Sequence, residues 1–502
     1  MIQLKDVSFV YEGMREPSVR HVTITIPDGE CIVLCGASGC GKTTITRLLN
    51  GLIPNYYSGI LDGEILWNQS DMSSMQMYEI AKIAGSLFQN PRTQFFNQDV
   101  ESEIAFGLEN TGAPEVYLRK RVALTMKELG LTQLQNSSLH HLSGGEKQRV
   151  AFASIYAMNP DVYLLDEPSS NLDMQAIHAL HDDLSLIKKQ GKTIVIAEHH
   201  LSYLMDLADR FVYMEHGEIK GMFTPDELKR ISLSEREQMG LRAIDLKECL
   251  HAASIPPSLE HCLLLNNVSL YYKKRSILKH ITLRAGMGEI IGIAGRNGAG
   301  KTTFSRAICG LHKEVDGQMI WNGNRLHGKD CLHLSYMVMQ DVNYELFGDS
   351  VLAECQLGIR HPDNQQILAV LDKLKLSTCL QRHPNTLSGG QKQRLAVAVS
   401  MVCKKRILVF DEPTSGLDFE SMIKVSDLLH QLSKQGNIVF IVTHDLEFLA
   451  RVCTRVLYID QQALVYDSQM SSATLQYVYH KINEENENEK ETIDSFAASM
   501  GR

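Results

Sequence analysis

Gly36-Ala37-Ser38-Gly39-Cys40-Gly41-Lys42-Thr43 and Gly295-Arg296-Asn297-Gly298-Ala299-Gly300-Lys301-Thr302 are one phrase, GxxxxGK[ST], written twice 259 residues apart (Lys42 to Lys301). In such a loop the glycines let successive backbone N–H groups turn inward onto phosphate oxygens. The lysine reaches the β- and γ-phosphates, and the hydroxyl residue takes Mg²⁺. The phosphate-binding candidates are therefore Gly36, Ser38, Gly39, Gly41, Lys42, Thr43 and the adjoining Thr44, with Gly295, Asn297, Gly298, Gly300, Lys301, Thr302 and Thr303 in the second copy.

The flanking residues agree. A short apolar run precedes each loop, Cys31-Ile32-Val33-Leu34 and Ile290-Ile291-Gly292-Ile293, as a strand buried on both faces requires. After each loop apolar residues fall at i, i+3, i+4 and i+7: Ile45, Leu48, Leu49 and Leu52, then Phe304, Ala307, Ile308 and Leu311. A strand, a glycine loop and a helix whose positive end faces the loop make an anion site.

The 502 residues suffice for two large domains, and the duplication supplies the division. The net charge of −9 lacks the basic footprint of a nucleic-acid binder, so no nucleic-acid partner is expected. Eleven scattered cysteines without a CxxC pair point to a reducing compartment. Cys40, inside the first loop, is open to a redox role or to the plainer one of a small tolerated side chain. No apolar run reaches the 18 residues of a membrane span, and Met1-Ile2-Gln3-Leu4-Lys5-Asp6 reads as a strand opening with no secretion signal. A cytosolic protein, able to dock on a membrane partner, is the expectation.

The two halves run in parallel. Alternating strands, Leu4 to Tyr11 and Leu264 to Tyr272, end in a tyrosine that either stacks on a nucleotide base or packs in a β layer. Ser143-Gly144-Gly145 and Ser388-Gly389-Gly390 each open a helical pattern, either as an anion-facing turn or as a simple N-cap. Each serine leads a carboxylate pair by 23 residues, Ser143 to Asp166-Glu167 and Ser388 to Asp411-Glu412. An aspartate ending a buried parallel strand suits Mg²⁺, and the glutamate beside it can polarise a water. A last strand reaches histidine 32 residues after each glutamate, Glu167 to His199 and Glu412 to His444. The repeated spacing favours a γ-phosphate contact over a structural histidine.

Taken together, these motifs resemble the ATP-binding cassette (ABC) superfamily over nearly the whole chain. The resemblance implies an α/β fold of two tandem P-loop domains, each with a mainly parallel core sheet, an antiparallel β subdomain and a helical signature subdomain. The domains are placed at 1–220 and 262–470, with a helical extension and linker at 221–261 and a C-terminal segment at 471–502. It implies ATP and Mg²⁺ as ligands, with Tyr11 and Tyr272 at the base. Glu167, Glu412, His199 and His444 would be catalytic, and Thr43, Asp166, Thr302 and Asp411 would hold the metal with Gln89 and Gln340. Asp173 and Asp418 match the D-loop, in Ser170-Asn171-Leu172-Asp173 and Ser415-Gly416-Leu417-Asp418. The family architecture also implies intramolecular pairing, ATP on Lys42 being covered by Ser388-Gly389-Gly390 and ATP on Lys301 by Ser143-Gly144-Gly145. One departure stands out: Glu198-His199-His200 stands where the second half has Thr443-His444-Asp445, so equal hydrolysis at the two sites does not follow from the shared motifs.

A narrower resemblance, to the energy-coupling factor (ECF) ATPases, rests on Phe88-Gln89-Asn90-Pro91-Arg92-Thr93-Gln94-Phe95-Phe96, on Val100 through Asn110, on Ile196 through Leu201, and on Gln340-Asp341-Val342-Asn343-Tyr344-Glu345-Leu346-Phe347. It implies an importer of vitamins, their precursors or transition-metal ions. Such an ATPase sits at the cytoplasmic face of the membrane with a transmembrane coupling subunit and a small substrate-binding membrane protein. Many members carry Asp where Arg92 stands, so the groove facing the coupling subunit is expected to be specialised. The tandem ATPases of sugar importers, which typically carry an altered second site, and ribosome-acting tandem ABC proteins, with a longer basic linker, are the alternatives. The linker here is mixed in charge, from Asp226 to Glu248 before Pro256-Pro257, and the tail from Asn483 to Glu491 is acidic and expected to be disordered. Lys42→Ala or Lys301→Ala is predicted to cut turnover about a hundredfold or more at its own site, as single-turnover ATP hydrolysis would record.

Overall fold

The computed structural model describes residues 1–170, 172–249, 258–340, 342, 345–414 and 416–482. The side chains of Arg92 and of residues 258–261 are not among those described. Asn171, Asp341, Asn343, Tyr344 and Ser415, Pro256-Pro257 and the acidic tail, together with the expectation built on Arg92, thus lie outside the described residues. The chain divides into two compact bodies, Met1–Ile244 and Asp245–Arg502.

The first body contains β1 (Ile2–Tyr11), β2 (Val19–Ile26), β3 (Cys31–Cys35), β4 (Gly59–Trp67) and β5 (Ser70–Asp71). It continues with β6 (Ala84–Leu87), β7 (Val162–Asp166), β8 (Thr193–Ala197), β9 (Arg210–Glu215) and β10 (Glu218–Phe223). One sheet is antiparallel, in the order β2-β1-β4-β5, and the other runs β10-β9-β3-β8-β7-β6, parallel except where β10 meets β9. Alternation along β3 explains its unbroken apolar run. Ile32 and Leu34 pack towards Val7, Phe9, Val22 and Ile24 of the antiparallel sheet. Cys31, Val33 and Cys35 face the opposite way, into a core shared with Phe152, Leu180 and Leu184. A strand covered on both faces has no use for a polar position.

Helices Val100–Asn110, Glu115–Glu128 and Gly144–Met158 form the helical part, joined through Ile104, Leu108, Val122, Met126 and Val150.

The second body repeats the plan. Its strands are β11 (Ser258–Tyr272), β12 (Arg275–Met287), β13 (Ile290–Gly295), β14 (Val315–Trp321) and β15 (Asn324–Leu326). They are followed by β16 (Ser335–Val338), β17 (Ile407–Asp411), β18 (Ile438–Val442), β19 (Arg455–Asp460) and β20 (Ala463–Gln469). The sheet orders, β12-β11-β14-β15 and β16-β17-β18-β13-β19-β20, match the first body strand for strand. Each body is thus an α/β P-loop fold with the expected mainly parallel sheet, antiparallel sheet and helical part.

Two local expectations change. The helices after the glycine loops are Lys42–Leu49 and Lys301–Ile308, so Leu52 and Leu311 lie beyond their ends. Gly51 and Gly310, both at positive φ, turn the chain first. The mixed-charge stretch from Asp226 to Glu248 is two short helices, Pro225–Arg230 and Leu233–Gln238, and a 3₁₀ turn at Leu246–Cys249. Ser232 caps the second helix and so breaks it from the first, while Leu228 and Leu241 seat the two helices in the core of the first body and the 3₁₀ turn belongs to the second body.

Phe152 joins sheet to helices, stacking on Tyr156 and on Tyr163 of β7. Phe152→Ala is predicted to cost about 3–5 kcal/mol of stability, seen as a lower urea midpoint for the transition of the first body.

Candidate functional site

Each glycine loop leaves the end of a central strand, β3 or β13, and enters the helix that begins at its lysine. Gly36 and Gly295 have φ of 138° and 146°, and a Cβ at either would stand 2.2 Å from the carbonyl of Met214 or Ile459. Only glycine lets the loop close down on the neighbouring strand there. Around Gly39 and Gly298 an added Cβ would meet nothing within 4 Å, so the loop is open where a phosphate would enter. Lys42 and Lys301 are buried, and their ammonium groups donate to the loop's own carbonyls. Lys42 Nζ reaches Gly36 O at 2.9 Å and Ala37 O at 3.0 Å, and Lys301 Nζ reaches Gly295 O at 2.7 Å and Arg296 O at 2.8 Å. A buried cation held on the loop's own carbonyls, beside the N-terminal amides of the helix it opens, fits an anionic ligand.

Thr43 Oγ1 donates to Asp166 Oδ1 and Thr302 Oγ1 to Asp411 Oδ2, each at 3.0 Å. Hydroxyl and carboxylate from helix and strand end thus share one point, a donor set that suits a hard divalent cation. Burial raises Asp166 to about 6 against the hydrogen bond from Thr43, and raises Asp411 in the same direction. Such carboxylates gain from a cation beside them.

Glu167 and Glu412 follow directly, at φ of 45° and 53°. Left-handed backbone at a glutamate is strained, and it recurs at the same point of both halves. His199 Nε2 lies 3.3 Å from Glu167 Oε1, and His444 Nε2 lies 3.7 Å from Glu412 Oε1. Gln89 Nε2 donates to Glu167 Oε2 at 2.5 Å. Gln340 is exposed at the corresponding place after β16. The geometry therefore brings together lysine, hydroxyl, aspartate, glutamate and histidine in each half.

The other candidates lie further out. Ser143 and Ser388 cap helices Gly144–Met158 and Gly389–Val402 through capping boxes with Glu146 and Gln391, and remain exposed with Gly144 and Gly389 at the surface. Asp173 and Asp418 are N-caps too, accepting from Ala176 N at 2.8 Å and Ser421 N at 2.9 Å. Tyr11 packs edge-on against Phe9 and Tyr57, its hydroxyl 3.3 Å from Thr44 Oγ1, whereas Tyr272 is 59% exposed. Cys40 is buried, and burial raises its thiol against the pull of Lys42, so it stays protonated and weakly reactive.

The two glutamates sit in different surroundings. In the second half Thr443 Oγ1 donates to Glu412 Oε2 at 3.1 Å, and burial together with Asp411 pushes Glu412 upward. Burial also opposes ionisation of Glu167, but His199, Lys42 and Gln89 outweigh it and hold its carboxyl below the ordinary glutamate value. Where the second half has Thr443, the first has Glu198, a buried carboxylate whose organising part sequence reasoning missed. Its Oε1 accepts His199 N at 2.6 Å and His200 N at 3.1 Å, and its Oε2 accepts Ser169 N at 3.2 Å and the Tyr203 hydroxyl at 3.0 Å.

Glu103 and Glu354 were missed as well. Each is buried and gathers two amides of an aromatic turn, Phe96 N and Asn97 N or Phe347 N and Gly348 N. The shared spacing, Phe96 to Glu103 and Phe347 to Glu354, was the available signal. Glu198→Gln removes one acceptor oxygen from four donors, and is predicted to cost about 1–3 kcal/mol of stability by thermal denaturation.

The ABC transporter family model matches residues 19–170 and 278–415. A Treponema denticola protein named, by inference, an ABC transporter ATP-binding protein is 44% identical over 471 residues, covering 93% of this chain and 96% of that relative. A Streptomyces coelicolor protein named in the same way is 31% identical over 526 residues, with 93% of both chains covered. A solved structure of an archaeal ribosome recycling factor, in complex with the ribosomal stalk protein aP1, is alike in fold, with a TM-score of 0.66 at 22% identity over 95% of this chain and 92% of that one. With both halves matched and both phosphate loops built, the chain belongs to the ABC transporter family as a tandem ABC ATPase, which binds and hydrolyses ATP.

Proposed function

We propose that this ATPase is the motor subunit of an energy-coupling factor importer, energising uptake of a vitamin, a vitamin precursor or a transition-metal ion. It works from the cytoplasmic face of the membrane with a transmembrane coupling subunit and a small substrate-binding membrane protein. One observation carries the reading. A groove of about 570 Å³ opens in the first body between β6 and helices Val100–Asn110 and Gly144–Met158. Phe96, 73% exposed, stacks on Phe106 at its rim with ring centroids 4.7 Å apart, and Phe88 and Tyr78 are exposed beside it. Aromatic surface left to water beside a groove suits an apolar helix face from a partner. Phe88, Phe96 and Phe106 belong to the segment that resembles ECF ATPases, and the curated relatives named above are transporter subunits by name. Among the described residues no helix is long and apolar enough to cross a membrane, so the transmembrane path belongs to other chains in this proposal.

Within the motor, Lys42 and Lys301 grip the β- and γ-phosphates of the ATP bound to their own cassettes. Thr43, Asp166 and Gln89 would hold Mg²⁺ at one site, and Thr302, Asp411 and Gln340 at the other. Bound there, the ion neutralises charge on the phosphates. Glu167 and Glu412 orient the attacking water, while His199 and His444 contact the γ-phosphate.

The tagged chain, purified from membranes of its host, should bring with it a coupling subunit of several transmembrane helices and a small membrane protein, both identified by mass. Phe96→Asp should release it from those partners while ATP binding persists. Recovery with ribosomes and absence from membranes would overturn the importer reading. Glu167→Gln combined with Glu412→Gln should bind ATP and hydrolyse it at least about a hundredfold more slowly.

A further inference from the structure

The chain following β10 returns to the first phosphate loop. Helix Leu233–Gln238 ends at Gly240, whose φ of 70° turns the backbone. A Cβ placed on Gly240 would lie 3.6 Å from the Ala37 side chain and 4.0 Å from its amide, so the turn passes close beside the loop. Leu241 then plugs into the hydrophobic core. Arg242, 1% exposed, directs Nη1 to within 2.7 Å of His200 Nε2. Guanidinium can only donate, so His200 accepts at Nε2 and is held as the neutral Nδ1–H tautomer.

His200 is the residue at which the two halves differ. Its counterpart, Asp445, is an N-cap that accepts Phe448 N at 3.1 Å and starts helix Leu446–Val452, so the turn behind His444 is anchored by its own sequence. A histidine at that position supplies no such cap, and the 3₁₀ turn Ser202–Leu204 begins without a side-chain cap. In the first half the anchor comes from Arg242 instead, 42 residues along the chain. One end of the histidine turn is tied by Glu198 and the other by Arg242, and between them stands His199, 3.3 Å from Glu167.

We propose that Arg242 is a positioning residue of the first ATP site. By fixing His200 it sets the turn that carries His199, so hydrolysis at this site depends on the segment that joins the cassettes. The proposal rests on the assignment of His199 and Glu167 to the hydrolytic step.

The test uses the full chain with the second site silenced by Glu412→Gln. Arg242→Ala should lower kcat at the first site about tenfold or more while KM for ATP stays within about twofold, because the histidine shifts and the phosphate loop does not. Arg242→Lys, which keeps a donor near His200, should retain most of the turnover. Adding His200→Asp to Arg242→Ala should restore it, since an aspartate can cap the turn as Asp445 does. Unchanged kcat in Arg242→Ala, or no recovery on adding His200→Asp, overturns the proposal. Where the alanine variant does not fold, the lysine variant decides, and a tenfold loss there overturns it. Glu167→Gln in the same background is the separate control: retained turnover would reject the assignment of Glu167 itself, whatever Arg242 does.

Discussion

A buried ammonium group closed on the carbonyls of its own loop is the constraint around which each half is organised. A buried polar group needs partners, and Gly36 O and Ala37 O supply them to Lys42 Nζ. The loop must then curl so tightly that Gly36 touches β9 through Met214 O, which no side chain permits. That curl needs β3 buried in mid-sheet, and β3 needs apolar residues on both faces. Anion affinity, glycine spacing and core composition are thus one requirement seen at three scales. The same chain of necessity runs through Lys301, Gly295 and β13.

Duplication kept this arrangement and let its edge diverge. The phosphate loops, the threonine–aspartate bond and the strained glutamates are alike in both halves. The histidine turns differ in kind. One uses Thr443 and a self-capping Asp445, and the other a buried carboxylate, Glu198, and a distant arginine. Thr443 also hands a hydrogen bond to Glu412, which Glu198, itself an acceptor, cannot give to Glu167. The sites therefore differ in the groups that hold the glutamate, although their leading motifs look equivalent.

Much of this was legible in the amino-acid order because it is local or periodic. The glycine loops, the apolar runs of β3, β7, β13 and β17, and the matched spacings from serine to aspartate and from glutamate to histidine identify the fold and most of the site. Pattern failed where geometry is made by the chain's return. Leu52 and Leu311 continue a helical spacing, yet glycines at 51 and 310 end the helices before them. The left-handed backbone of Glu167 and Glu412 follows from the turn out of the sheet, and composition says nothing of it. Glu198 reads as a polar residue near a strand end, and only the fold shows four donors converging on it. The contact between Arg242 and His200 leaves no period at all, since it joins segments that meet only after the sheet has formed.

The buried glutamates beneath the aromatic turns carry a mechanical consequence. Glu103 lies on helix Val100–Asn110 and grips the backbone of Phe96 and Asn97, so the exposed ring is bolted to the helix and does not hang from a compliant loop. A load on Phe96 would be borne by that helix through these two bonds. Through packing at Ile104 and Leu108 it passes to helix Gly144–Met158, whose first residues form the signature turn. Glu354 bolts Phe347 in the same manner. In each half an exposed aromatic ring is thus tied through its backbone to a buried glutamate of the following helix, a rigid handle and not a loose one.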